Sequence, residues 1–375
     1  MKKIDVITIH RNCNYGSVLQ TYATQRILEE LGFQTEIIDY YREQDKIAGQ
    51  LKRLKAKSAK LSNRFFLYGA QVIMLPSYIK KKVVFDRFIN DRIHVTRKKY
   101  YSNEELRFDK LNAHAFCTGS DQIWNSLWNE GIIPAYYLDF ASEDSIRFSY
   151  ATSIGKQSID DEEAETIAPM IRKYAYISVR EKASVETLHR LGFKGARQVL
   201  DPTLYISEKE WSQIASEKYK NKKYIVTYNL HRDKRLDEYA QRLAKEKHLP
   251  IINISYNWHD VIRKGKLAWC PTVEEYLGLI KYAKYVVADS FHATAFSIQF
   301  KKQFLVFYPE KSSIRMRDLL NLTGLNDRGV NNAEIELIDS PINYENIHSI
   351  IEQFRLQDKS YLDNVASYIN ENTRG

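Results

Sequence analysis

At 375 residues, 44% of them hydrophobic and 13% aromatic, the chain can bury large cores, and its length predicts two domains of an ordinary globular protein. Its three cysteines, Cys13, Cys117 and Cys270, form no C-x-x-C pair and no metal-ligand spacing. Their odd number argues against a disulfide framework, so a reducing cytoplasm fits best. The formal charge of +9 raises nucleic acid and membranes as partners, but no nucleic-acid-binding motif accompanies it.

The N-terminus reads as a first strand over 3–10, since Asp5 and Thr8 interrupt it and no small-residue cleavage site follows. A loop at 11–17 leads into a helix from Val18 to Leu31 that ends at Gly32, and a second strand runs from Gln34 to Tyr40. This is a βαβ unit. Its first crossover loop places Asn14, Gly16 and Ser17 at a helix N-terminus, where free backbone N–H groups can receive an anion or a sugar hydroxyl. G-x-G-x-x-G is absent, so no dinucleotide fingerprint is present.

Much of the basic excess follows, over about 43–100, in Lys52, Arg53, Lys55, Lys57, Lys60 and Arg64, then Lys80 to Lys82, then Arg97 to Lys99. The apolar run at 65–79 between them is too short and too interrupted to span a bilayer of roughly 30 Å. A basic, aromatic-rich helical pair could lie on an anionic membrane surface or grip a lipid-linked acceptor. Equally, it could be a solvated insertion packed on its domain.

Strand character resumes at Ala113–Thr118 and breaks into the polar loop Gly119–Asn125. Ile146–Gly155 repeats the same design. A helix is read over Asp160–Tyr174, acidic in its first turns, then a strand Ala175–Arg180 and a helix Glu181–Leu191. Arg180, at its strand end, is a fork for phosphate or carboxylate, or else a partner of Glu181 or Asp201. Arg197–Thr203 is a short strand ending in an x-Pro turn and is taken as the domain junction, giving domains at 1–203 and 204–375.

The second half alternates strands at Tyr224–Leu230, Pro250–Ser255, Tyr285–Ala288 and Gln303–Tyr308 with helices at Lys234–Glu246 and Val273–Lys281. Both halves therefore read as doubly wound α/β units. The tail, 343–370, has helical periodicity broken near Asp358–Ser360 and is expected to pack back across the first domain. In Asp289-Ser290-Phe291-His292 a buried strand gives way to a helix start, so His292 falls at the carboxyl edge of a parallel sheet, where open α/β sheets bind ligands. There it can move protons near neutral pH, or merely cap the helix and satisfy a neighbouring carbonyl. Asp289 could orient the imidazole or cap the helix, and Asp121 is a second base, a hydroxyl-binding group or a turn former. His10, His114 and His231 sit at strand ends and could line the same cleft. No acidic pair or His/Cys cluster has ligand spacing, so no metal and no cofactor is expected.

Five ordered segments, 14–23, 118–125, 149–155, 177–184 and 288–297, together resemble the polysaccharide pyruvyl transferase family over most of the chain. The resemblance implies two Rossmann-like domains facing a cleft, as in GT-B glycosyltransferases, with the first domain on the acceptor side and the second on the donor side. It also implies transfer of a pyruvyl group from phosphoenolpyruvate to two hydroxyls of a sugar, or of a lipid-linked oligosaccharide, forming a ketal in a cell-surface or exported glycan. The family's basic residue falls on Arg180 and its histidine on His292, and its serine and arginine ahead of a Leu-Leu pair are similar to Ser313 and Arg315. Ser120 and Ser290 complete the candidate substrate-binding set. Where many members read Arg-Leu-His and Gly-Gly-Gly, this chain has Ser290-Phe291-His292 and Gly119-Ser120-Asp121. A nucleotide-sugar glycosyltransferase and a non-catalytic binding protein of glycan assembly are the alternatives on the same frame. The expected location is the cytoplasm, or the inner face of the membrane as a peripheral protein.

Overall fold

Short apolar runs that break into polar loops build two parallel sheets here. The computed structural model describes residues 1–53, 63–309 and 313–373, with the side chain of Arg64 left out; Lys55, Lys57 and Lys60 lie outside the described residues. In the first half, β1 (Lys3–Ile7), β2 (Gln34–Tyr40), β3 (Val95–Tyr100), β4 (Ala115–Thr118) and β5 (Ile146–Ser149) pair in the order β3-β2-β1-β4-β5, all parallel. Val6 lies between Ile37 and Cys117 in this register. A small parallel pair, β6 (Ser178–Val179) and β7 (Arg197–Gln198), continues past β5 through bridges from Phe148 to Tyr176 and from Thr152 to Val179.

The second half pairs β8 (Ile225–Tyr228), β9 (Ile251–Ser255), β10 (Lys266–Trp269), β11 (Tyr285–Ala288), β12 (Gln303–Phe307) and β13 (Gly329–Val330) in the order β10-β9-β8-β11-β12-β13, again parallel. All residues of β8, β9 and β11 are buried, as expected of strands covered on both faces. The chain order reverses between β1 and β4 in one sheet and between β8 and β11 in the other. The loops leaving these four strands therefore open onto crevices, where ligands of such sheets bind.

One hydrophobic core runs through both halves. The helix Tyr15–Glu30 of the first half inserts Tyr15 into the second, where it stacks on Tyr276 at 4.3 Å and Tyr256 at 5.3 Å and donates its hydroxyl to the Pro271 carbonyl at 2.6 Å. Burying one such side chain contributes about 1.5–3 kcal/mol, so this contact alone is a substantial part of what holds the halves together. Gln299 adds a polar tie, donating to the carbonyls of Thr203 and Ile206.

Three expectations are corrected. The basic stretch is not all insertion: the helix Arg64–Arg92 buries Phe85, Phe88 and Ile89 and delivers the chain into β3, an edge strand of the sheet. β3 escaped notice because three consecutive exposed residues, Arg97 to Lys99, hide its alternation, a common way of protecting an edge. The tail is one unbroken helix, Tyr344–Asn372, rather than two. Its Asp358 and Tyr361 face the first half: Asp358 accepts the Leu200 N–H at 2.9 Å, and Tyr361 donates to the Ser149 carbonyl at 2.6 Å. The strand expected over 175–180 shortens to β6. Among the described residues no helix is long and apolar enough to cross a membrane.

Candidate active site

The loop after β11 begins with Asp289, whose buried carboxylate accepts the backbone N–H groups of Leu230 at 2.7 Å and His231 at 2.8 Å and meets His231 Nδ1 at 3.0 Å. It fastens the loop after β8 to the loop after β11. Asp289 thus orients His231 and not His292, a correction with a simple cause: it sits at the strand end facing β8, whereas His292 is already in the first turn of the helix Phe291–Gln299.

His292 is only 6% exposed, and its Nε2 stands 3.8 Å from Asp201 Oδ2 without a hydrogen-bond partner. Its other face meets the first half. A Cβ added to Gly16 would lie 1.9 Å from His292 Nδ1, so only glycine lets the helix Tyr15–Glu30 approach this closely.

Arg180, leaving β6, reaches the same place from the first half. Its Nη1 pairs with Asp201, and it stands 3.7 Å from both Asp121 and Glu181, while Nε and Nη2 have no hydrogen-bond partner. Arg315, from the helix Ile314–Thr323, lies 3.4 Å from Asp121. Both guanidiniums sit against the Phe291 ring, at 4.9 Å and 5.6 Å from its centroid, a contact favourable to cations. Asp121 is held in a left-handed backbone conformation, φ 72°, with Ser17 Oγ donating to it at 2.6 Å. The structure thus gathers Arg180 and Asp121 of the first half with Arg315 and His292 of the second.

Burial sets the protonation of this cluster and neighbouring charges modify it. Desolvation drives the His292 imidazole down to about 4; Asp201 and Asp121 pull the other way, and the two guanidiniums push further down. The imidazole is therefore neutral at pH 7 and ready to accept a proton. Burial would raise Asp121, but Arg180 and then Arg315 outweigh it and hold the carboxyl at about 2. Asp201 likewise stays below its ordinary range because Arg180 and His292 overcome its burial. Burial pushes Glu181 up.

Asp121, His292 and Arg315 border a cleft of about 730 Å³ between the halves, while Arg180, Glu181 and Asp201 lie behind it around a much smaller pocket that Phe291 and Arg315 also line. The first wall of the cleft carries Asn14, Ser17, Asp121, Gln122, Asn125 and Trp128, and its second carries Ser290, Phe291, His292 and Arg315. Two of the N–H donors expected at Asn14, Gly16 and Ser17 are already engaged, Asn14 N–H on Asn12 Oδ1 at 3.2 Å and Gly16 N–H on Asn14 Oδ1 at 2.9 Å, and the Ser17 hydroxyl receives Asn12 Nδ2 at 2.9 Å while it donates to Asp121. The opposite wall differs. Neither Ser290 nor Ser313, the residues heading the helices Phe291–Gln299 and Ile314–Thr323, caps its helix with a side chain. Ser313 instead accepts a bond from Arg317 at 3.2 Å, and Ser120 lies behind the site, 3.4 Å from Asp201. His231 lines the cleft, whereas His10 is buried on Asp39 and His114 accepts the Lys3 N–H.

Phe291 and Trp128 were not among the expected site residues, and Asp201 was read only as an ion-pair partner. Asp201-Pro202-Thr203 carried a usable signal, a helix cap followed by proline, and Asp201 does cap the short helix Pro202–Tyr205. No group of three or more His, Cys, Asp or Glu among the described residues is placed to hold a metal.

The family model described as "Polysaccharide pyruvyl transferase" matches residues 14–311. No curated protein matches the chain. Among solved structures, the chain is similar to UDP-N-acetylglucosamine 2-epimerase from Rickettsia bellii, with 12% identity and TM-score 0.55 over 99% of this chain and 97% of that one. It is also similar to S. aureus MnaA solved with UDP, at 11% identity and TM-score 0.53 over 99% and 97%. UDP-GlcNAc 2-epimerase from Methanocaldococcus jannaschii, solved with UDP-GlcNAc and UDP, has 12% identity and TM-score 0.50 over 95% and 93%. Likenesses this distant speak for the fold alone, two Rossmann-like halves in the GT-B arrangement.

Proposed function

The chain belongs to the polysaccharide pyruvyl transferase family and is a transferase; from that premise we propose that its cleft moves a pyruvyl group from phosphoenolpyruvate to two hydroxyls of a sugar destined for a cell-surface or exported polysaccharide. The observation that carries this reading is the convergence, where the two halves meet beside the cleft, of buried nitrogens that stand near carboxylates but have no hydrogen-bond partner: Arg180 Nε and Nη2 from one half and His292 Nε2 from the other. A buried donor left unpaired costs about 1–3 kcal/mol, so such groups mark a place built for something that arrives later. A small, dense anion suits the two guanidiniums, which can grip phosphate and carboxylate as forks.

Charge alone does not make the cluster attractive to an anion, since Asp121, Asp201 and Glu181 face two arginines. The balance is tipped by the N-termini of the helices Phe291–Gln299 and Ile314–Thr323, which Ser290 and Ser313 leave without a side-chain cap and whose backbone N–H groups and dipoles favour negative charge.

In the chemistry we propose, the neutral His292 imidazole takes the proton of the first sugar hydroxyl as its oxygen bonds to C2 of the donor and passes that proton to C3, making the methyl group and returning the imidazole to its neutral form. The C2–O bond to phosphate then breaks, and phosphate leaves with the bonding pair. The second hydroxyl closes on C2, giving its proton to the departing phosphate, and a cyclic ketal results. General acid–base work of this kind contributes about 10²–10⁴-fold. The half-exposed Trp128 indole and the amides of Gln122 and Asn125 offer a surface on which the acceptor sugar stacks and hydrogen-bonds. With phosphoenolpyruvate as donor, the location we propose for the reaction is the cytoplasm.

Thermal unfolding with phosphoenolpyruvate, and then with UDP-GlcNAc, tests the reading. A ligand present at 100 times its Kd stabilises by about 2.7 kcal/mol. Phosphoenolpyruvate is expected to raise Tm in the wild type and in His292→Ala, and not in Arg180→Ala, while His292→Ala loses ketal formation followed by the methyl proton signal. Stabilisation by UDP-GlcNAc without any by phosphoenolpyruvate would overturn it in favour of a glycosyltransferase.

A further inference from the structure

The helix Arg64–Arg92 buries one end and leaves the other bare. Phe65, Tyr68, Val72, Leu75, Ile79 and Val83 are all exposed, Phe65 by 89%. Their spacings of three and four residues put them on a single face, a stripe about 27 Å long at 1.5 Å per residue. Phe66 and Ile73, also exposed, widen it. The stripe continues onto the second half: Trp258 donates its indole N–H to the Ile73 carbonyl at 2.6 Å and its backbone N–H to Ser77 Oγ at 3.0 Å. That turn, Trp258–Ile262, exposes Val261 and presents Ile262 at 88% exposure.

An apolar surface of this extent on a soluble chain marks an interaction site, and charge decides what it meets. Residues 46–53 and 63–99 carry twelve Lys and Arg against two Asp, a net +10 that exceeds the +9 of the whole chain. The exposed turn is likewise followed by Arg263, Lys264 and Lys266. Two such surfaces from two copies would repel each other, whereas an anionic lipid surface attracts both the cations and the apolar side chains. We propose that this face docks the protein on the surface of an anionic phospholipid bilayer, with the aromatic and aliphatic tips entering the headgroup region and the chain remaining on one side.

The proposal does not depend on the donor or the acceptor, and a binding measurement without turnover tests it. Wild-type protein is expected to sediment with vesicles of phosphatidylcholine containing phosphatidylglycerol, to be released by salt, and to ignore vesicles of phosphatidylcholine alone. Phe65→Ser, Phe66→Ser and Ile262→Ser combined should weaken that association by at least about tenfold. Lys52→Gln, Lys264→Gln and Lys266→Gln combined should weaken it while leaving the melting temperature unchanged. Because the substituted side chains are exposed, a cooperative melt of each variant verifies folding. Failure of the wild type to bind anionic vesicles overturns the proposal, as does undiminished binding by the serine variant. A wild-type dimer in sedimentation velocity that the serine variant converts to monomer overturns it too, because the stripe is then a contact between copies.

Discussion

The two walls of the cleft are built from the same elements, a strand, a polar loop and a helix, yet they end in opposite electrical states. On the first wall the helix Tyr15–Glu30 is capped by Asn14, and Ser17 and Asp121 are bonded to each other. On the second wall the helices behind Ser290 and Ser313 are headed by side chains that do not cap them, and Arg315 stands beside them. A wall whose polar groups are satisfied recognises a ligand by exchanging hydrogen bonds, as hydroxyls do. A wall headed by helix N-termini favours negative charge. On the function proposed above, the sugar is therefore proposed to lie on the first half and the anion on the second, with Arg180 beside it.

The largest effect should come from pressing the walls apart where they touch. Gly16→Ala places a methyl group on the His292 ring, and displacement of a catalytic group by about 1 Å costs on the order of 10² in rate. We expect kcat to fall by about that factor with donor binding retained. In the wild type the acid limb of kcat/KM should lie at about 4, since the imidazole held there must be neutral to accept a proton, and activity is lost only as pH falls through that value. A limb near the ordinary histidine value would break this assignment.

Next in size is the second wall alone. Arg315→Gln removes a charge-assisted bond worth about 1.5–3 kcal/mol, so the apparent affinity for phosphoenolpyruvate should drop by about 10- to 100-fold, with the acceptor KM unchanged. The smallest effect belongs to the first wall: Trp128→Ala should raise the acceptor KM by about three- to tenfold and leave the donor-induced Tm shift intact. If Arg315→Gln changed the acceptor KM, or Trp128→Ala the donor shift, the division of labour between the walls would fail.

Much of the second half was legible because its local signals agree. β11 and the helix Val273–Lys281 fall at the residues expected, the latter behind a capping box of Thr272 and Glu275. β2 also spans the residues expected. β10 and β3 were not legible, since each is an edge strand whose pairing is supplied by a neighbour rather than by its own pattern. At the site, the spacing of Asp289 and His292 suggested a pair that the strand end separates, and the partner of His292, Asp201, comes from the junction between the halves. Contacts made across two domains leave no periodicity in either one.

The terminal helix returns to the first half beside the junction, and the Leu200–Asp358 bond stitches these two passages of the chain together. Asp201 is the residue next to the stitch, so the carboxylate that steadies Arg180 and faces His292 stands on backbone moored to a second passage of the chain.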